Sequence, residues 1–372
     1  MEISLCMIVK NEENCLENCL NSVSGIVDEI IIVDTGSEDR TKEIAAKYTD
    51  KIFDFVWVDD FSAARNYSFS KATKDYCMWL DADDIIPGES KRVFLEMKNS
   101  LKQNIDVVFM PYCYEFTEDG RIVRSIARER VIKRKRSGMW MYPVHEILDT
   151  SGESIFCEAA IYHTKKIVRH DKYFKIIEDL VEKGNVDPRI LYYHAMELYE
   201  RKCVDESIAA FRNFFKNGGG ESAYCFLACR MLHDLYINKK QYKEALETSM
   251  KHLEKCIHRS EFCCQLGYFY ANVMNDINEA VYWFEQAVNC PYPTDRKDYS
   301  NIEADFYYCI PYFELGNAYC IQERYEEGLS CFVKAAEYNE NHPEIQEALK
   351  KVCMVLFKTE NTEMVISALK QR

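Results

Sequence analysis

The segment Tyr76-Cys77-Met78-Trp79-Leu80-Asp81-Ala82-Asp83-Asp84 decides how the rest of the chain is read. Five apolar residues end abruptly in three carboxylates among four positions, the pattern of a buried strand that delivers hard oxygen ligands to a cleft. Clustered carboxylates repel one another and are costly to hold beside a core unless something positive binds there. A divalent cation is the expected partner, since Mg²⁺ and Mn²⁺ take carboxylate, phosphate and water oxygens and Mg²⁺ needs few protein carboxylates. The alternative is a solvated acidic turn, closed by Pro87-Gly88 before the next helix.

Working outward, the residues before this segment alternate between strand and helix patterns. Ile3 to Val9 is a short apolar strand, and Cys15, Leu16, Cys19, Leu20 and Val23 recur at helical spacing. Glu29-Ile30-Ile31-Ile32-Val33 is a β-branched run of the kind buried on both faces by helices. Helix Glu38 to Lys47, strand Lys51 to Val56, helix Phe61 to Ala72 and strand Asp75 to Leu80 follow. This order predicts an α/β domain with a mostly parallel, Rossmann-like sheet and helices on both faces. Ligands of such sheets sit outside the carboxyl ends of the strands. Lys10-Asn11-Glu12, Asp34-Thr35-Gly36-Ser37 and Asp81-Ala82-Asp83 fall at three such ends, so one site is expected to collect them. No glycine-rich dinucleotide fingerprint or P-loop is present.

The chain has 372 residues, ample for two domains, and a net charge of −14 that argues against a general nucleic-acid surface. No apolar stretch approaches the roughly 20 residues that span a bilayer, and the N-terminus lacks the basic start of a secretory signal. The 17 cysteines are scattered without a CxxC pair. They read as reduced core thiols, and a cytoplasmic location is expected.

After about residue 170 the pattern becomes helical only. Tyr312-x2-Leu315-Gly316-x2-Tyr319, followed by Gly328-x3-Phe332-x2-Ala335, matches the tetratricopeptide pattern. Weaker copies are marked by Ser207, Ala245 and Ala280 in their second helices, and a Pro-rich insertion near Pro291-Tyr292-Pro293 lengthens one gap. Residues from Glu344 onward read as a terminal capping helix pair. The expected division is an α/β domain over 1–168 and an all-α tetratricopeptide-type domain over 169–372.

The N-terminal part resembles the family 2 glycosyltransferases of GT-A fold over roughly residues 2 to 165. The resemblance is carried by Met7-Ile8-Val9-Lys10-Asn11-Glu12, Ile32-Val33-Asp34-Thr35-Gly36-Ser37-Glu38-Asp39, Asp60-Phe61-Ser62-Ala63-Ala64-Arg65-Asn66 and the acidic segment. Fusion to tetratricopeptide repeats looks like the bacterial peptide glycosyltransferases. The resemblance implies a metal-dependent, inverting enzyme that uses a UDP-sugar with Mn²⁺ or Mg²⁺. It implies Asp83 as metal ligand, Asp81 near the ribose, and Glu12, Asp34 and Arg65 as contacts to the nucleotide. Structural alternatives remain for the last three: a helix N-terminal acid, an Asx turn and an exposed helix arginine.

In Val144-His145-Glu146, Glu146 is the expected base that takes the acceptor proton, although relatives often carry Glu-Asp here. His163, after a strand expected over Phe156 to Tyr162, is expected as a third metal ligand, with a structural histidine as the alternative. Arg121 to Arg136 holds eight basic residues and one acid, and reads either as a strand with one solvated face or as a source of arginines, Arg128 or Arg130, for the diphosphate. Asp84 is left as the loop residue nearest the acceptor. The repeats are expected to bind a peptide or protein acceptor, or a second copy of the chain as a homodimer, with no nucleic acid and no membrane span. A polysaccharide or lipid-linked acceptor, and a non-catalytic scaffold, are the competing readings.

Overall fold

A computed structural model of the chain describes residues 1–116, 122–136, 140–164, 171–184, 186–292, 305–339 and 342–358. The chain forms two compact units that divide between Ile176 and Ile177. In the first, β1 (Ile3–Val9), β2 (Glu29–Asp34), β3 (Ile52–Asp54) and β4 (Tyr76–Trp79) alternate with α1 (Leu16–Val23), α2 (Thr41–Ala45) and α3 (Phe61–Ser70). These strands run parallel in the order β3-β2-β1-β4. Successive side chains enter different cores, as strand alternation requires. Leu5 and Met7 pack with Leu16, Cys19 and Leu20 of α1, whereas Cys6, Ile31, Val33 and Cys77 pack with Phe69 of α3.

The chain continues through β5 (Asp84–Ile85), α4 (Gly88–Ser100), β6 (Val107–Phe116), β7 (Ile122–Lys133), β8 (Trp140–Met141), β9 (Ile147–Leu148), β10 (Ser154–Phe156) and β11 (Ile161–His163). The sheet extends from β4 through β7, β6 and β11 to β5, with β10 also beside β6, while β8 and β9 pair apart. It is therefore mixed. Strand β7 is antiparallel to both neighbours, because β6 and β7 follow each other without the helical crossover that parallel pairing needs.

Three expected elements are shorter. The helix placed over 38–47 is only Thr41–Ala45, since the Asp39 carboxylate accepts from the amides of Thr41 (2.9 Å) and Glu13 (3.1 Å) and holds the preceding residues as a turn. Strand β3 stops at Asp54, and Val56 beyond it is 84% exposed. The strand expected over 156–162 is instead β10 and β11, separated around Cys157, whose amide donates to the carbonyl of Phe109.

At the amino end of the sheet, Glu29 is buried and binds Ser4, Lys51 and both the amide (2.9 Å) and hydroxyl (2.8 Å) of Thr73. Burial alone would raise its carboxyl, but the Lys51, Ser4 and Thr73 hydrogen bonds bring it down to about 2. A depressed carboxyl stabilises the fold above its unfolded value and loses that contribution as pH falls toward about 2. Glu29→Gln should cost about 1–3 kcal/mol near neutral pH, and urea titrations should show the deficit shrinking between about pH 5 and pH 2. A deficit independent of pH would contradict the ion-pair account.

The helical unit follows α5 (Asp171–Lys183), inside which the division falls. It comprises α6 (Pro188–Glu200), α7 (Val204–Lys216), α8 (Cys225–Asn238), α9 (Tyr242–Lys251), α10 (Leu253–Cys256), α11 (Ser260–Phe269), α12 (Ile277–Asn289), α13 (Asp305–Tyr308), α14 (Ile310–Ile321), α15 (Tyr325–Tyr338) and α16 (Pro343–Phe357). Helices pair as α6/α7, α8/α9, α11/α12 and α14/α15. Small residues set the approach. A Cβ at Gly316 would stand 2.7 Å from the Phe332 ring, one at Gly267 2.5 Å from Phe284, and one at Gly328 2.7 Å from the Cys320 sulfur.

Ser207 donates to the carbonyl of Ala195, and His233 contacts that of Ala245, so the same two places meet in other pairs. From Gly267 to Ala280 the chain is one residue longer than from Gly316 to Gly328. The π-helical turn Tyr270–Met274 takes up the extra residue, which accounts for the weaker match of this copy to a fixed period. All 17 cysteines are free thiols. The partner helix expected after α16 and the Pro293 end of the insertion lie outside the described residues. Among the described residues no helix is long and apolar enough to cross a membrane.

Candidate active site

Because β1, β2 and β4 are parallel neighbours, their carboxyl ends share one edge, and Glu12, Asp34 and Asp81 all follow it. Glu12 lies in the turn four residues before α1, its amide donating to the Thr41 hydroxyl (2.7 Å) and its carboxylate accepting from the Cys15 thiol (2.9 Å). Asp34 ends β2. Its Oδ1 accepts from the amides of Gly36 and Ser37, both at 2.8 Å, while Oδ2 is buried with no hydrogen-bond partner. The Asx turn therefore exists, and it leaves one acceptor atom for a ligand.

Beyond β4 the three carboxylates separate. Asp81 Oδ1 receives Nη2 of Arg65 at 2.8 Å. Burial opposes its charge, but Arg65 and Arg130 hold its carboxyl below the ordinary range. Asp84 is fully buried in β5, and its Oδ2 accepts from Arg130 Nη1 (3.0 Å) and from the Asp81 amide (3.1 Å). It is thus not a loop residue facing an acceptor. Arg130, 1% exposed, lies 3.8 Å over Trp79 and 4.5 Å over Tyr112, so its strand position is no solvated face and its charge is committed to Asp84. Arg128 instead pairs with Glu129 at 3.3 Å and lies 5.1 Å over Trp79. Arg121 lies outside the described residues.

Strand β11 runs antiparallel to β5 and sets His163 opposite Asp84. The Asp83 carbonyl accepts from both the amide (2.9 Å) and hydroxyl (2.7 Å) of Thr164, which fixes the turn. His163 Nδ1 stands 3.6 Å from oxygens of both Asp83 and Asp84, and one ligand atom from each of the three residues lies within 4.8 Å of the others. Asp84 Oδ1 and His163 Nδ1 are buried without a hydrogen-bond partner. A carboxylate oxygen and an imidazole nitrogen left in this state beside the Asp83 carboxylate fit a divalent cation, and the nitrogen suits Mn²⁺ better than Mg²⁺. The nearby Asp84, together with Asp83, raises the imidazole's proton affinity against the effect of burial.

Glu146 comes from the loop after β8. Helix α3 shapes this loop: the Phe61 amide donates to the Pro143 carbonyl (2.8 Å), and the Asn66 side chain bonds both the carbonyl and amide of Trp140. Tyr142 and His145 take positive φ, 73° and 51°, which bends the chain there. Arg65 Nε then meets Glu146 Oε1 at 2.7 Å. Arg65 is 7% exposed, and its guanidinium lies 4.8 Å over Trp79 and 4.9 Å over Trp140. It is neither an exposed helix residue nor aimed at open solvent.

Sequence reasoning missed Asp84 as a candidate ligand, Arg130 as its partner, and Tyr173, whose ring lies tilted against Phe61 at 5.1 Å and whose hydroxyl feels the Asp81 and Glu146 charges. Only the run Asp83-Asp84 carried a signal for the first.

The sequence model of Glycosyl transferase family 2 matches residues 4–153. A TPR repeat-containing protein of Synechococcus elongatus is 38% identical over 150 residues, 40% of this chain and 36% of that one. The SPbeta prophage-derived glycosyltransferase SunS of Bacillus subtilis is 35% identical over 114 residues, covering 30% and 27% of the two chains. The chain thus spans about a third of the length of these curated relatives. Among solved structures, MamA is 15% identical with a TM-score of 0.37 over 46% of this chain and 88% of its own. The TPR protein YrrB is 17% identical with a TM-score of 0.35 over 53% and 98%. The sheet, its acidic carboxyl edge and the family match agree: residues 4–153 are a family 2 glycosyl transferase domain, and paired tetratricopeptide-like helices follow it.

Proposed function

We propose that the chain is a glycosyltransferase that moves a sugar from a nucleotide-diphosphate sugar, UDP favoured, to a peptide or protein acceptor with inversion. The observation that carries this reading is the convergence on one sheet edge of Asp34 with a bare buried oxygen, the Asp83, Asp84 and His163 ligand atoms, and Glu146 held by Arg65. Asp83, Asp84 and His163 would hold Mn²⁺ or Mg²⁺, which when bound neutralises charge on the departing diphosphate. Asp34 and Glu12 accept hydrogen bonds from the base and ribose, and Asp81 bounds the ribose side. Glu146 takes the proton of the attacking acceptor group.

A peptide acceptor is supported by an open cleft of about 350 Å³ between α8 and α11, lined by Arg230, Asp234, Gln265 and Asn272 among others. Gln265 Nε2 donates to the Arg230 carbonyl and to Asp234 (2.6 Å), leaving Oε1 buried without a hydrogen-bond partner. Such amide and charged groups suit an extended backbone. The free thiols agree with a reducing, cytosolic setting.

A mass-spectrometric screen of nucleotide sugars against peptides and glycans tests this reading. Mass gained by peptides, together with UDP release, is expected. Gain only on glycans would transfer the proposal to a polysaccharide or lipid-linked acceptor, and no UDP release from any donor would favour a scaffold.

A further inference from the structure

The geometry points to Arg65 as a positioning residue that holds Glu146 for proton transfer, rather than as a contact to the nucleotide. This inference rests on the transferase reading above. The Nε and Nη2 edge of a guanidinium commonly grips one carboxylate with two parallel hydrogen bonds. Here that edge is divided: Nε goes to Glu146 at 2.7 Å and Nη2 to Asp81 at 2.8 Å. One rigid, planar group thereby fixes the separation of two carboxylates that lie far apart in the sequence. Trp79 and Trp140 both pack against it, and the indoles, which meet edge to face at 5.2 Å, form one aromatic wall beside it. A group so enclosed has little freedom to swing toward a ligand.

The same helix fixes the loop that carries Glu146 through Phe61 and Asn66, so Arg65 is the third of three ties from α3 to residues 140–146. With Oε1 engaged by Arg65, Oε2 is the Glu146 oxygen that this tie leaves for the acceptor proton. A lysine could reach one of the two carboxylates but could not bridge them in a plane.

The test uses the full chain and needs no acceptor, because transfer to water releases UDP from the donor found active in the screen. Arg65→Gln should slow UDP release by about 30-fold or more, while the Kd of UDP with Mn²⁺, read by calorimetry, stays within about threefold of wild type. Arg65→Lys, kept for the case in which the Gln variant does not fold, should recover part of the rate at the same Kd. In the Glu146→Gln background, adding Arg65→Gln should cause little further loss, since the arginine acts through the glutamate.

A tenfold weaker Kd, multiplicative losses in the double variant, or unchanged UDP release in Arg65→Gln each overturn the inference. A wild-type chain that neither binds UDP nor releases it from any donor overturns the transferase reading itself, and this inference with it.

Discussion

Glu146→Gln is expected to lower UDP release and sugar transfer by about a thousandfold, in the middle of the range for removal of a general base. The amide keeps the shape of the side chain, and its oxygen can still accept from Arg65 Nε, so the loop stays in place. Proton acceptance is what is lost. Kd for UDP with Mn²⁺ should change by less than about threefold, because Glu146 touches neither the Asp83-Asp84-His163 cluster nor Asp34 in the contacts described. Steady-state rates with calorimetry on the same preparation check both halves. A loss below about tenfold would return the base assignment to a neighbour such as His145.

Asp83→Ala should abolish the Mn²⁺-dependent thermal stabilisation by UDP. At a hundredfold excess over Kd, a ligand specific to the folded state stabilises by about 2.7 kcal/mol. For a unit of this size that corresponds to a rise in Tm of about 5–10 °C. Asp83 is the cleanest place to cut. Its main-chain carbonyl, which binds Thr164, survives the substitution, whereas Asp84 also holds the buried Arg130 and its loss would leave that cation unpaired. Differential scanning fluorimetry with and without Mn²⁺ and UDP reads the result. A full Tm rise in Asp83→Ala would remove this residue from the metal site.

Much of the N-terminal architecture was legible because its strands are buried on both faces and end in polar residues at the same edge. Ile30 to Val33 could be little else than a central strand, and Glu12, Asp34 and Asp81 followed from chain order. Their partners were not legible. Alternation around Arg128-Glu129-Arg130 tells which side chains share a face but not what covers that face, so the burial of Arg130 against Trp79 and Asp84 could not be read. Asp84 suffered the same ambiguity, since a carboxylate that is buried and ion-paired has the same letter as one in water. The attachment of Arg65 to Glu146 spans 81 positions and depends on packing of α3 against the β8 loop, which local pattern does not encode. In the repeats, one added residue at Tyr270–Met274 was enough to blur the period while leaving the Gly267 and Phe284 contact intact.

The pairing of β5 with β11 sets a minimum on any fragment that could stand for the N-terminal unit. The family match ends at residue 153, ten positions short of His163. A piece cut there would lose one side of the Asp83-Asp84-His163 cluster, and would also strip β5 of its strand neighbour and β6 of both β10 and β11. Unsatisfied main-chain groups would then line a newly opened border, an invitation to self-association. The boundary of the folding unit therefore lies downstream of the end of the family match, and expression trials should be designed by the former.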